Sequence, residues 1–313
     1  MFSDVRLARP NLVLDAVHDN RHKLGSESNA RESIPYIIPI PDEQIAAFTY
    51  TWVNGAGEAG AALAIFGPGI GPDPIQMKLA DRPVPDSMDF GNWQIEGFEM
   101  KQDLAFRDAS IRWASEKATI AFDFRAYHPP YAYGAHAGGC PAYTATDRIE
   151  QSGTVKGQII LPGRTIDFET TGHRDHSWGQ RDWGAFQYYH WFVGQAEGVS
   201  VHFWKFLTFG RENLRGYVFK DGLMAEITDV RTDLTFGDDL YQKRLQATVT
   251  DEAGRVTEIV VEFFASTTLV PDPRIHLREA AGRATYDGKP GVGWLEVGWP
   301  AAYLDYAADA RSR

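Results

Sequence analysis

The feature that most constrains this chain is the rhythm of its apolar residues. Short apolar or alternating runs are each closed by a turn signal, and helical periodicity is scarce. Residues 48–53, 118–127, 199–209, 258–264 and 292–299 are such runs. Asn54-Gly55, Ser152-Gly153, Pro162-Gly163, Asp221-Gly222, Ala253-Gly254 and Asp287-Gly288 supply turn residues between them. Short strands recurring every 8–12 residues or so indicate an all-β sandwich or barrel. The runs add up to roughly sixteen to twenty strands, too many for one eight-stranded barrel that fills its own interior. The expectation is two consecutive antiparallel β-barrels or sandwiches, over residues 1–184 and 185–313, with a few short helices. Helices are expected near residues 41–48, where Pro41 and the acids after it suit a first turn, and near 300–306. There is no βαβ alternation, which argues against Rossmann and TIM architectures. The proline-rich stretch 67–74 lacks the Lys-Ser/Thr of a phosphate loop and reads as a surface loop.

Composition narrows the function classes. Among 313 residues, 31 Lys and Arg stand against 42 Asp and Glu, a net charge of −11. That balance disfavours a phosphate-tracking nucleic-acid binder or a protein held on an anionic membrane. The single Cys140 excludes an intramolecular disulfide and a cysteine zinc ribbon. The first thirty residues carry charges throughout, without the apolar core of a secretory signal. No apolar run reaches the ~18 residues of a membrane span. A cytoplasmic location without membrane insertion is therefore expected. A homodimer stays open.

The densest chemistry lies between His173 and Gly184, where two His, two Arg, two Asp and two Trp crowd together. Such a cluster must satisfy its own charges. Arg174 or Arg181 could pair with Asp175 or Asp182, leaving either a structural ion-pair corner or an acid/base site. In the acid/base reading, Asp175 orients and charges His176, or Asp175 is itself a protonated donor in an apolar pocket. Two aromatic runs follow, carrying Tyr188, His190 and Trp191, then His202 and Trp204. As a hairpin they would set Trp191 opposite His202, with His202, Trp204 and Phe206 on one face. With Trp178 and Trp183 they could line a pocket for an apolar substrate and shield a developing cation. No metal is expected: His173 and His176 stand at odd separation, so a strand sends them to opposite faces and away from one shared ion. His18 and His22 read as part of a solvated N-terminal segment.

Asp175-His176-x-Trp178-Gly179, followed by Arg181-x-Trp183, resembles the signature of the carotenoid 1,2-hydratase and AttH-like family. That group includes hydroxyneurosporene synthase and, more distantly, tocopherol cyclases and lipocalin-like Diels–Alderases. Arg148-Ile149-Glu150-Gln151-Ser152-Gly153 and Gly291-x-Gly293-Trp294-Leu295-Glu296-x-Gly298 resemble two further family strands, so the likeness spans about residues 85–300. The resemblance implies lipocalin-like barrels and cofactor-free hydration, dehydration, cyclisation or isomerisation of a hydrophobic isoprenoid, steroid-like or phenolic molecule. It places Asp175, His176 and Trp178 at the centre and adds Glu296, with Arg174 and Arg181 in support. A non-catalytic carrier of a hydrophobic small molecule and a shape-guided pericyclase are the alternatives.

Overall fold

The computed structural model describes residue 2 and residues 4–311. Its contacts divide the chain into two compact units, Met1–Arg181 and Asp182–Arg313.

The first unit carries β1 (Arg6–Leu7), β2 (Ala30–Ile40), β3 (Ile45–Asn54), β4 (Glu58–Phe66), β5 (Ile75–Pro83) and β6 (Trp93–Ile95). It continues with β7 (Phe98–Gln102), β8 (Asp108–Ala114), β9 (Thr119–Ala126), β10 (Tyr131–Ala132), β11 (Asp147–Leu161) and β12 (Arg164–Gln180). Strands β2 to β12 form one curled antiparallel sheet in the order β5-β4-β3-β2-β12-β11-β9-β8-β7-β6, with β10 added to β11. The long strand β12 thus sits at mid-sheet, paired with β11 along its whole length and with β2 near its C-terminal end. Ile34, Ile65, Phe90, Trp93, Ile111 and Phe122 belong to the core that its concave face encloses.

The second unit holds β13 (Phe186–Ala196), β14 (Val199–Thr208), β15 (Arg211–Lys220), β16 (Leu223–Phe236), β17 (Gln242–Asp251), β18 (Val256–Asp272), β19 (Ile275–Tyr286), β20 (Lys289–Pro300) and helix α1 (Ala301–Arg311). Each strand pairs with the next, and β20 pairs back onto β13. The result is a closed, eight-stranded, up-and-down barrel, which leaves no edge strand to template aggregation. Phe192, Phe203, Val218, Val249, Val261 and Leu295 fill its interior. Asp221-Gly222 and Asp287-Gly288 close two of its hairpins with both residues at positive φ, the left-handed geometry that matches strand twist. The architecture is all-β and lipocalin-like.

Three local expectations are corrected. Residues 41–48 do not form a helix: a single 3-10 turn, Pro41–Glu43, leads directly into β3, whose Ile45 and Ala47 are buried in the core. Ser152-Gly153 is not a turn but the middle of β11; a Cβ on Gly153 would stand 2.4 Å from the Arg125 carbonyl oxygen, so the glycine serves close strand approach. The β13–β14 hairpin turns at Glu197-Gly198 and sets Trp191 opposite Trp204, not His202. This two-residue shift keeps every side chain on its expected face. At the C-terminal end, α1 does start directly after Pro300.

Candidate functional site

Alternation along β12 splits the central cluster. His173, Asp175 and Ser177 lie on one face, and Arg174, His176 and Trp178 on the other. Neighbours on a strand cannot orient one another, so Asp175 does not hold His176. The carboxylate that does is Glu32 of β2, which opposes Trp178 in the sheet. His176 Nε2 lies 2.7 Å from Glu32 Oε1. His22 Nδ1 reaches the same oxygen at 2.7 Å, and the His22 backbone N–H donates to Glu32 Oε2 at 2.8 Å. His18 Nδ1 then meets His22 Nε2 at 2.9 Å. His22 stacks on the Trp178 indole with ring centroids 3.9 Å apart, and Phe90 meets His176 edge-on at 5.5 Å. Residues 18–22 are therefore part of this cluster rather than a solvated lead-in.

Burial pushes His176 below the ordinary imidazole range, outweighing the pull of Glu32. For Glu32, burial works towards the neutral acid, but hydrogen bonds from His176 and His22 prevail and hold it below the usual carboxylate range. His176 Nδ1 is buried and has no hydrogen-bond partner. One residue back, Arg174 donates to Asp19 Oδ1 at 3.0 Å, to Gln151 Oε1 at 3.0 Å and to Gln102 Oε1 at 2.5 Å.

On the opposite face of β12, Arg148 of β11 donates to Asp175 Oδ2 and to Glu150 Oε1, each at 2.6 Å. Tyr133 donates to Glu150 at 3.1 Å; His173 joins Glu150 through Nε2 at 2.8 Å and Ser152 through Nδ1 at 2.9 Å. Asp175 is thus paired with a guanidinium, a setting that favours its ionised form, rather than standing alone in an apolar pocket. Arg174 points to the other face of β12, and Arg181 donates to Ser177 Oγ at 2.5 Å.

In the second unit, alternation again sorts the candidates. Trp191, His202, Trp204 and Glu296 lie on the face turned away from the barrel's own core, whereas Tyr188 and His190 share the face of Phe192. Tyr188 Oη meets His190 Nε2 at 2.5 Å and packs on Trp299, apart from the tryptophan face. Trp183 sits on a 3-10 turn, 6.0 Å from Phe186. Phe186, Tyr189, Trp204 and Phe206 form a continuous aromatic sheet face, with neighbouring centroids 4.7–5.6 Å apart.

Sequence reasoning missed the partner of Glu296. Glu279 on β19 directly opposes it. Glu279 Oε2 accepts from the Trp294 indole at 2.7 Å, and Glu296 Oε1 accepts from the Tyr189 hydroxyl at 2.5 Å. Glu279 Oε1 is buried and faces no N–H or O–H donor. Burial, reinforced by the Glu296 carboxylate, raises Glu279 well above the usual range. Two carboxyls facing each other in a buried setting resist ionising together, which favours the acid form at Glu279. The signal that could have found it is the Asp287-Gly288 turn, because a two-residue hairpin there sets Glu279 opposite Glu296.

A family model described as a domain of unknown function (DUF7064) matches residues 15–301. No curated protein matches the sequence. Among solved structures, an AttH candidate (NE1406) from Nitrosomonas europaea superposes with a TM-score of 0.63 at 13% identity, covering 95% of this chain and 99% of that one. Kievitone hydratase from Nectria haematococca gives 0.61 at 9% identity, with 94% and 95% covered. CghA gives 0.58 at 13% identity, with 87% and 89% covered, and has also been solved with Sch210972. At such identities the likeness is one of fold. The chain belongs to the DUF7064 family, built on the lipocalin-like fold of the AttH-like proteins.

Proposed function

We propose that this protein is a cofactor-independent lyase or isomerase of the hydratase, dehydratase or cyclase kind. It acts on a hydrophobic alkene-bearing molecule through the Glu279–Glu296 pair. The observation that carries the reading is the carboxyl pair itself: Glu279 lies buried opposite Glu296, burial favours its acid form, and an aromatic wall stands beside the pair. Protonating an alkene demands a donor that is present as the acid and free of bulk water. The single proton of the pair moves from Glu279 to the half-buried Glu296 as Glu296 protonates one alkene carbon, so both carboxylates stand ionised beside the new cation. Tyr189 steadies the acceptor oxygen. The positive charge that appears on the second carbon faces indole rings, each of which stabilises a cation by about 0.5–2 kcal/mol. Water then adds to that carbon, or a neighbouring C–H gives up its proton, and the released proton restores the pair. The fold shared with kievitone hydratase supports hydration as the first reaction to try.

The test is turnover of a panel of prenylated phenols and linear isoprenoid alcohols in D2O, followed by mass spectrometry. Deuterium should enter a former alkene carbon. Glu296→Gln and Glu279→Gln should each lower the rate by about 10²–10⁴-fold while substrate binding persists. A carrier would bind the same compounds in wild type and variants without converting them, and that result rejects the proposal.

A further inference from the structure

We propose that His22, Glu32 and His176 form a binding site for a first-row divalent cation, with Zn2+ the best fit. The three side chains come from the N-terminal segment, β2 and β12, and their ligand atoms all lie within 4.8 Å of one another. Both imidazole nitrogens sit 2.7 Å from the same Glu32 oxygen. In a tetrahedral zinc site, nitrogen and oxygen donors lie about 2.0–2.1 Å from the metal, hence about 3.3 Å from each other. Replacing the two bridging protons by one cation therefore asks the donors to part by only about 0.6 Å.

Three further observations fit a metal. The donor set is two imidazoles and one carboxylate, which suits zinc and leaves a fourth position open. The outer partner that orients a metal-bound imidazole is already in place, because His22 Nε2 meets His18 Nδ1 at 2.9 Å. The Trp178 indole stacks on His22 with ring centroids 3.9 Å apart and holds that imidazole in place beside Glu32. An entry path exists as well. His22 is 18% exposed and lines an open cleft of about 720 Å3 together with Asn20, Asn54, Asp86 and Asp89. This site lies in the first unit and does not rest on the carboxyl pair of the second.

Tag-free full-length protein, treated with EDTA and dialysed, would be titrated calorimetrically with ZnCl2, with MgCl2 as control, and its melting temperature followed in parallel. The expected result is one Zn2+ bound at micromolar Kd or tighter, a raised melting temperature, and no response to Mg2+. Co2+ should give the intense visible bands of a four-coordinate ion. His22→Gln, a change at the partly exposed ligand, should weaken binding at least tenfold. Absence of zinc binding and of any thermal shift in the wild type overturns the site. So does binding that His22→Gln leaves unchanged, since the ion would then sit elsewhere. If His22→Gln does not fold, the Co2+ spectrum of the wild type decides: weak octahedral bands reject the site.

Discussion

The two buried polar clusters of this molecule respond to the same force in opposite directions. Around β12, burial drives the histidines His128, His173 and His176 towards the neutral base, His128 down to about 3. Around β19 and β20, burial drives Glu279 towards the neutral acid. Desolvation penalises charge in both places. The first cluster must gain protons when it unfolds in acid, and the second must lose one when it unfolds near neutrality. The first cluster is further saturated by Arg148 and Arg174, each held by more than one hydrogen bond, whereas among the described residues no Lys or Arg is hydrogen-bonded to the second cluster's carboxyl pair. A charge-saturated net makes a rigid frame; a shared proton makes a reactive group.

The sharpest way to break this contrast is to remove a cation from the first cluster. Arg148→Met leaves Glu150 and Asp175 buried without their guanidinium and should destabilise the protein by about 3–5 kcal/mol in urea unfolding. A loss below about 1 kcal/mol would show that these charges are not held as described.

Next in size is the pH dependence. Glu279 is raised in the folded state, so its stabilisation is complete below the unfolded carboxyl pKa and is lost as pH rises towards the folded value. Above the ordinary carboxyl range it contributes a downward slope of up to about 1.4 kcal/mol per pH unit, which Glu279→Gln should remove. His176 is lowered, so its contribution is complete above the unfolded imidazole pKa and is lost as pH falls below about 6.5. Melting curves of His176→Gln should therefore flatten the acid side while leaving the neutral side alone. Identical pH profiles in wild type and both variants would erase the comparison.

The smallest expected effect is that of Tyr189→Phe, which deletes the hydroxyl on Glu296. It should cost about 1.5 kcal/mol in unfolding, and it should raise the pH at which the pair loses its proton. An unchanged titration would remove Tyr189 from the site.

Strand content was legible because the period-two runs and the Asp-Gly turns act locally; Asp221-Gly222 and Asp287-Gly288 closed hairpins where they stood in the sequence. The split of Asp175 from His176 was also within reach, since the parity argument that separated His173 from His176 applies to adjacent residues with more force. What stayed hidden was partnership across the sheet. Glu32 lies 144 residues from His176. Glu279, by contrast, faces Glu296 across the hairpin that Asp287-Gly288 closes eight residues on, so this one pairing was within reach of the turn signal. The segment around His18 and His22 shows no apolar period, yet Asp19 is buried on Arg174 and His22 stacks on Trp178. A polar plug is specified by its partners, and local pattern carries no trace of them.

The central claim is that Glu279 holds a proton at neutral pH. Infrared spectroscopy of the wild type against Glu279→Gln tests it directly. At pH 7 the account predicts a carbonyl band of a protonated carboxyl, sensitive to D2O exchange and missing from the variant. A wild-type spectrum at pH 7 with only ionised carboxylate bands, the protonated band emerging only below about pH 4.5, would contradict it.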